Sequence, residues 1–218
     1  VSSVTDMRKM FYQATSFEGD ISSWDVSSVT NMEYLFSKAN SFNGDLSSWN
    51  VSNVTDMKKM FFWASSFNGD LSSWDVSNVT DMNYMFANAS SFNGDLSSWD
   101  VSSVTNMYNM FLGSDALSDE NKCAIHLSFT SNVNWPYNWF EFCDFTAISQ
   151  DNIQTAVDLW VSDNATALST YGPINSWDVS LITDMSDLFK DKSTFDDDIS
   201  SWNVSSVTTM YQMFFQAD

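Results

Sequence analysis

The stretch Asp45-Leu-Ser-Ser-Trp-Asn-Val-Ser-Asn-Val-Thr-Asp-Met-Lys-Lys-Met-Phe61 recurs with almost no change every 25 residues. That periodicity constrains the fold more than any other feature. One coil of this length cannot bury its own apolar side chains, whereas several stacked coils can. Val1, Val26, Val51, Val76, Val101, Val179 and Val204 share one register, and Val4, Val29, Val54, Val79, Val104, Ile182 and Val207 share another. Met7, Met32, Met57, Met82, Met107, Met185 and Met210 form a third column, and Phe11, Phe36, Phe61, Phe86, Phe111, Phe189 and Phe214 a fourth. Phe17, Phe42, Phe67, Phe92 and Phe195, then Trp24, Trp49, Trp74, Trp99, Trp177 and Trp202, complete the set. Identical apolar residues in one register imply that each column stacks on itself along one axis.

Two local patterns sit inside each repeat. Leu46, Trp49 and Val51 lean apolar, and Trp49 and Val51 alternate with polar neighbours, the period of a half-buried strand. Val54, Met57, Met60 and Phe61 follow helical spacing, with Thr55 as N-cap and Asp56 in the first turn. Phe67-Asn-Gly-Asp70 reads as a turn, with Gly69 free to adopt positive φ. The expected fold class is therefore α/β: a leucine-rich-repeat-like solenoid with one short strand and one short helix per coil. Its strands would form a parallel sheet at roughly 4.8 Å per coil. The alternative is an all-β solenoid.

The repeats break once. Residues 1–116 form a first solenoid. Residues 117–143 lose the register: a helix N-capped by Ser118 leads into the aromatic segment Asn134-Trp-Pro-Tyr-Asn-Trp-Phe-Glu-Phe-Cys143, read as a C-terminal cap. Residues 144–173 begin with an amphipathic helix, N-capped by Ser149, with Ile153, Ala156, Val157 and Trp160 on its face. A polar loop follows, and the whole is read as the N-terminal cap of a second, incomplete solenoid over residues 174–218. The first and last residues both fall within repeats. This register suggests one period of a tandem array or head-to-tail polymer; the plainer alternative is a chain whose remaining residues are trimmed or disordered.

The repeat pattern Asp-[Leu/Ile]-Ser-Ser-Trp-[Asp/Asn]-Val-Ser-x-Val-Thr-x-Met-x-x-[Met/Leu]-Phe resembles the BspA-like, DUF285-type surface-protein repeats, over roughly residues 1–116 and 174–218. The insert between them is similar to inter-array segments of such proteins. The resemblance implies secreted or surface-displayed proteins in adhesion or surface layers, and it supplies no catalytic residues.

The formal net charge is −20. That argues against nucleic acid and against an anionic membrane surface as direct partners. No apolar run approaches a membrane span, so membrane insertion is not expected. Charged residues are only 17 % of the chain, so the polar surface is largely Ser, Thr and Asn. The carboxylate column Asp20, Asp45, Asp70, Asp95 and Asp198 is the sharpest chemical candidate. Stacked carboxylates repel, and Ca²⁺ would relieve that; the competing role is closure of local turns by Asx hydrogen bonds. A second polar column, Asp25, Asn50, Asp75, Asp100, Asp178 and Asn203, follows the Trp positions. Cys123 and Cys143 are expected to form a disulfide. His126, the only histidine, lies on the cap helix and is given a structural role. Asn50, Asn53, Asn78, Asn88, Asn164 and Asn203 begin glycosylation sequons. Trp63 falls outside the apolar columns, where other repeats carry Gln13, Lys38 and Asn88, and is the candidate contact residue.

These features lead to the expectation of a non-enzymatic, extracellular structural repeat protein, secreted or on the cell surface. It would form a rod or head-to-tail fibre, with itself as partner. The alternative is a monomeric surface adhesin binding glycans or surface proteins. No cofactor other than Ca²⁺ is suggested.

Overall fold

The computed structural model describes residues 1–217. The chain divides into two compact units, Val1–Phe142 and Cys143–Asp218; Asp218, the last residue assigned to the second array, lies outside the described residues. The helices among the described residues are α1 (Asp119–Phe129), α2 (Ile153–Ser162) and α3 (Asn164–Tyr171), with 3-10 turns at Phe140–Phe142 and Ile174–Ser176. All three α-helices lie outside the 25-residue repeats.

The repeats themselves contain neither the expected strand nor the expected helix. Among the described residues no sheet forms, and the only pairings are single-residue parallel bridges such as Asp56 with Asp81 and Asp184 with Thr209. This overturns both the leucine-rich-repeat-like α/β solenoid and the all-β alternative. Each coil is instead a chain of tight turns. Trp49, Val54, Met60, Ala64 and Phe67 each donate a backbone N–H to the carbonyl three residues earlier, at 2.8–3.1 Å.

Polar side chains explain why no strand forms. Asp45, Asn50 and Asp56 each accept the N–H two residues on, from Ser47 (2.9 Å), Ser52 (3.1 Å) and Lys58 (2.9 Å). Such Asx turns bend the backbone and compete with extended structure. Asp56 is thus a turn-closing residue, and Thr55 donates its hydroxyl to Thr30 O of the preceding coil rather than capping a helix.

The helical spacing has another cause. Met57, Met60 and Phe61 are fully buried, as that spacing requires. Yet Met57, Lys59, Phe61 and Trp63 donate their N–H groups to Asp81, Asn83, Met85 and Ala87 of the next coil, at 2.9–3.0 Å. Donors used between coils cannot close an α-helix. The path is possible because Lys59 (φ 54°) and Trp63 (φ 59°) are left-handed, as are their counterparts in every repeat. This conformation costs a non-glycine residue roughly 1–2 kcal/mol.

Gly69 is not among the positive-φ residues. It is needed for space: a Cβ there would lie 3.1 Å from the Phe67 ring, and at Gly44 only 2.8 Å from Phe42.

The columns stack as their register implies. Phe36, Phe61 and Phe86 lie nearly parallel with centroids 5.5–5.6 Å apart, and each covers the second Phe column at 4.0–4.2 Å. Trp49, Trp74, Trp99 and Trp202 each donate Nε1–H to the carbonyl of a residue in the preceding coil, at 2.8–3.1 Å. These bonds satisfy the indoles without water.

Side chains close the fifth coil where a sixth would have supplied backbone. The Tyr137 hydroxyl accepts Phe111 N–H at 2.8 Å, and Asn132 Nδ2 donates to Val101 O and Val104 O at 2.7 and 2.9 Å. Burial pushes Tyr137 up to about 12. Ser118 caps α1 as expected, accepting Asn121 N–H. His126 is buried and its Nδ1 accepts Trp135 Nε1–H at 2.8 Å, so the proton sits on Nε2. Burial lowers its pKa below 6.5.

In the second unit α2 buries Ile153, Ala156, Val157 and Trp160, the expected face. Its N-cap is Asn152, not Ser149: Ser149 O accepts from Asn152 and Ile153 in a turn that precedes the helix. The segment expected to be a polar loop contains α3, capped by Asp163, whose carboxylate accepts Thr166 N–H. Gln150 stands in for a preceding coil: its Oε1 accepts from Thr183 N and Asp184 N, and its Nε2 donates to Asp184 O.

Two predictions follow from this packing. Trp74→Phe keeps an aromatic ring but removes the indole bond to Leu46 O, which retains only the Trp49 N–H, and costs about 0.5–1.5 kcal/mol in a urea titration. For His126, the unfolded chain binds the proton more readily than the folded one. Its contribution is therefore full above about pH 6.5 and falls as pH drops below that value. The urea midpoint declines between pH 7.5 and 5.5, and His126→Gln flattens the decline.

Candidate functional site

Counting repeat positions from Val1, positions 7 and 11 are always Met and Phe, whereas 8, 9, 12 and 13 change from coil to coil. Positions 9 and 13 are the left-handed residues. Along the first unit, position 9 reads Lys9, Tyr34, Lys59, Tyr84, Asn109, and position 12 reads Tyr12, Ser37, Phe62, Ala87, Leu112. Position 8 reads Arg8, Glu33, Lys58, Asn83, Tyr108, and position 13 reads Gln13, Lys38, Trp63, Asn88, Gly113. Five of the eight basic residues of this acidic chain stand in these columns, with six aromatics: Tyr12, Tyr34, Phe62, Trp63, Tyr84 and Tyr108.

Much of this row is satisfied internally. Lys9 Nζ lies 5.4 Å from the Tyr34 ring centre, and Lys59 Nζ lies 5.2 Å from Tyr34 and 5.3 Å from Tyr84. Lys59 also donates to the Tyr34 hydroxyl at 3.0 Å. Each such cation–π contact contributes about 0.5–1 kcal/mol at an exposed site. Tyr34 meets Tyr12 edge-on at 6.0 Å, and Tyr84 meets Phe62 at 6.1 Å. The order is an alternation over two coils: a large ring at position 12 is followed by a small residue, Ser37 or Ala87, which leaves room for the tyrosine at position 9. Arg8 pairs with Asp6 (2.7 Å) and Lys58 with Glu33 (3.5 Å).

Trp63 lies outside this internal order. It is 49 % exposed and stands edge-on to Phe62. Beside it is a groove of about 690 Å³ lined by Gln13, Thr15, Lys38, Asn40, Phe62 and Trp63, drawn from three successive coils. Asn40 fixes the wall: with its amide oriented to satisfy both groups, its nitrogen donates to Trp63 O at 2.8 Å and Lys38 O at 3.2 Å. Lys38 N–H donates to Phe62 O at 2.7 Å. The Lys38 ammonium has no carboxylate partner among the described residues. Sequence reasoning singled out Trp63 alone. Its five groove partners could have been found by the same signal, variation at fixed register inside an otherwise uniform repeat.

The carboxylate column is occupied with its own turns. Asp20, Asp45, Asp70, Asp95 and Asp198 each accept the N–H of the serine two residues on, at 2.8–3.0 Å. Bonding to the serine hydroxyl and N–H holds Asp20 below the usual carboxylate range, and the serine N–H foremost does so for Asp45, Asp70 and Asp198. No group of three or more His, Cys, Asp or Glu side chains is gathered as for a metal among the described residues.

The sequons differ in availability. Asn53 and Asn78, though exposed, donate Nδ2–H to Ser27 O and Ser52 O of the preceding coil, so the atom that would carry a glycan already bridges coils. Asn88 is half-buried and left-handed. Asn50 and Asn203 are exposed and accept a serine N–H through Oδ1. Asn164 is exposed at the start of α3. Cys123 and Cys143 are disulfide-bonded, and neither is free.

No curated protein and no solved structure matches this chain. A family model described as "Mycoplasma protein of unknown function, DUF285" matches residues 1–76, 48–155 and 159–218, running through the first cap as well as the repeats. The stacked repeats and their closing elements are thus covered almost end to end, and the chain belongs to the DUF285 family.

Proposed function

We propose that this chain is a secreted or surface-displayed binding module, the adhesin reading, whose stacked coils hold a variable aromatic and basic face toward a glycan or protein partner. One observation carries the reading: in the first unit, positions 8, 9, 12 and 13 hold five of the chain's eight basic residues and six aromatics, all of them half-buried or exposed, while the apolar columns stay uniform. A purely mechanical rod needs only the uniform columns. A binding protein needs a rigid support with residues that differ from place to place, enriched in Tyr, Trp and Arg. The disulfide supports a location outside the reducing cytosol. Among the described residues no helix is long and apolar enough to cross a membrane. The module binds and does not catalyse.

Arrays of glycans and of cell-surface proteins, probed with the wild type and with a Tyr12→Ser/Lys38→Ser/Trp63→Ser/Tyr108→Ser variant, test this reading. All four side chains are half-buried or exposed, so the unfolding free energy from a urea titration stays within about 2 kcal/mol of wild type. Wild-type binding that the variant loses by roughly tenfold or more, about 1.4 kcal/mol, is the expected result. Binding that the variant retains, or ligand-free filaments in electron micrographs of the wild type, returns the assignment to a structural rod.

A further inference from the structure

Within that face, and resting on its being a binding face, we propose that the groove between Lys38 and Trp63 takes a pyranose ring bearing a carboxylate. The groove's volume of about 690 Å³ falls in the range of small-ligand sites, roughly 300–1,000 Å³. Its apolar wall is the Phe62–Trp63 pair, whose rings meet at 82° with centroids 6.4 Å apart. A half-exposed indole offers a flat, weakly negative face that suits the C–H side of a sugar ring. Polar groups flank it on two coils. The Gln13 side-chain amide donates a long 3.4 Å bond to the Tyr12 hydroxyl, and Thr15 lines the same wall. These groups supply donors and acceptors for ring hydroxyls.

The charge on the ligand follows from Lys38. Its neighbours on the face are engaged: Arg8 with Asp6, Lys58 with Glu33, and Lys59 with the Tyr34 hydroxyl. Lys38 has no such partner among the described residues. The chain around it carries a net charge of −20, and that field opposes a polyanion. A densely sulfated or phosphorylated ligand would also call for the forked guanidinium of arginine. A single ammonium beside an aromatic wall matches one carboxylate on one ring. Asn40 acts as a positioning residue, because its amide ties the Lys38 and Trp63 carbonyls together from the groove side.

Titration calorimetry with four probes tests the assignment: methyl α-galactopyranosiduronic acid, its methyl ester, 3′-sialyllactose and lactose. The wild type is expected to bind one or both acids roughly tenfold more tightly than the matched neutral sugar. Which acid binds separates a uronic-acid source from a sialic-acid source. Lys38→Gln erases the preference for the acid over the matched neutral sugar. Trp63→Ala weakens acid and neutral forms together. Equal affinity for acid and neutral forms overturns the proposal, as does an acid preference that survives Lys38→Gln. If neither acid binds while the four-site variant still loses array ligands, this inference alone fails; if the four-site variant loses nothing, the binding-face reading fails with it.

Discussion

The stack depends on backbone hydrogen bonds that run between coils at every second residue. Met57, Lys59, Phe61 and Trp63 donate forward to the next coil, and Thr80 N–H returns to Thr55 O. In a parallel sheet, alternate donors reach a neighbour because the chain is extended. Here the chain is a run of tight turns, and left-handed residues at positions 9 and 13 make the same alternate donors point along the stack. Each inter-coil bond contributes about 0.5–1.5 kcal/mol net, which offsets the cost of the left-handed conformation only because the coils are already pressed together by their apolar columns.

That constraint explains the uniformity of the interior. A coil that must match its neighbour in register must present the same shape each time, so Met, Phe, Trp and Val recur unchanged. The indoles of Trp49, Trp74 and Trp99 show how far this goes: each finds its acceptor in the preceding coil, whereas Trp177, in the first coil of the second unit, donates to Gly172 O instead. Where the stack ends, other residues imitate a coil. Tyr137 and Asn132 close the fifth coil of the first unit, and Gln150 precedes the first coil of the second. These substitutes solve one physical problem, backbone groups that would otherwise be buried without partners.

The same constraint leaves freedom elsewhere. At positions 8, 9, 12 and 13 the backbone is fixed by the ladder, and apart from the buried Ser37 and Ala87 the side chains of the first unit are half-buried or exposed there. The sequence can vary at those places without changing the apolar columns. Part of the variation is itself structural, since lysines and tyrosines alternate at position 9 and large and small residues at position 12. Trp63 and Lys38 are not absorbed by that alternation, and this is why the groove between them stands apart as the candidate site.

The sequence by itself determined the period, the inward columns, the break after the fifth coil, the Ser118 cap of α1, the buried face of α2 and the outlying character of Trp63. All of these depend on which side chains are apolar and how they are spaced. It did not determine the backbone path. The spacing of Met57, Met60 and Phe61 suits a helix and a turn chain equally, because both turn those residues inward; only the next coil, by taking their N–H donors, decides between the two. Gly69 likewise suggested a positive φ, but its smallness serves the Phe67 ring, and the positive φ falls on Lys59 and Trp63, where composition gives no hint. The groove has the same origin. Gln13, Lys38 and Trp63 are 25 residues apart in sequence, and only stacking in register makes them one wall.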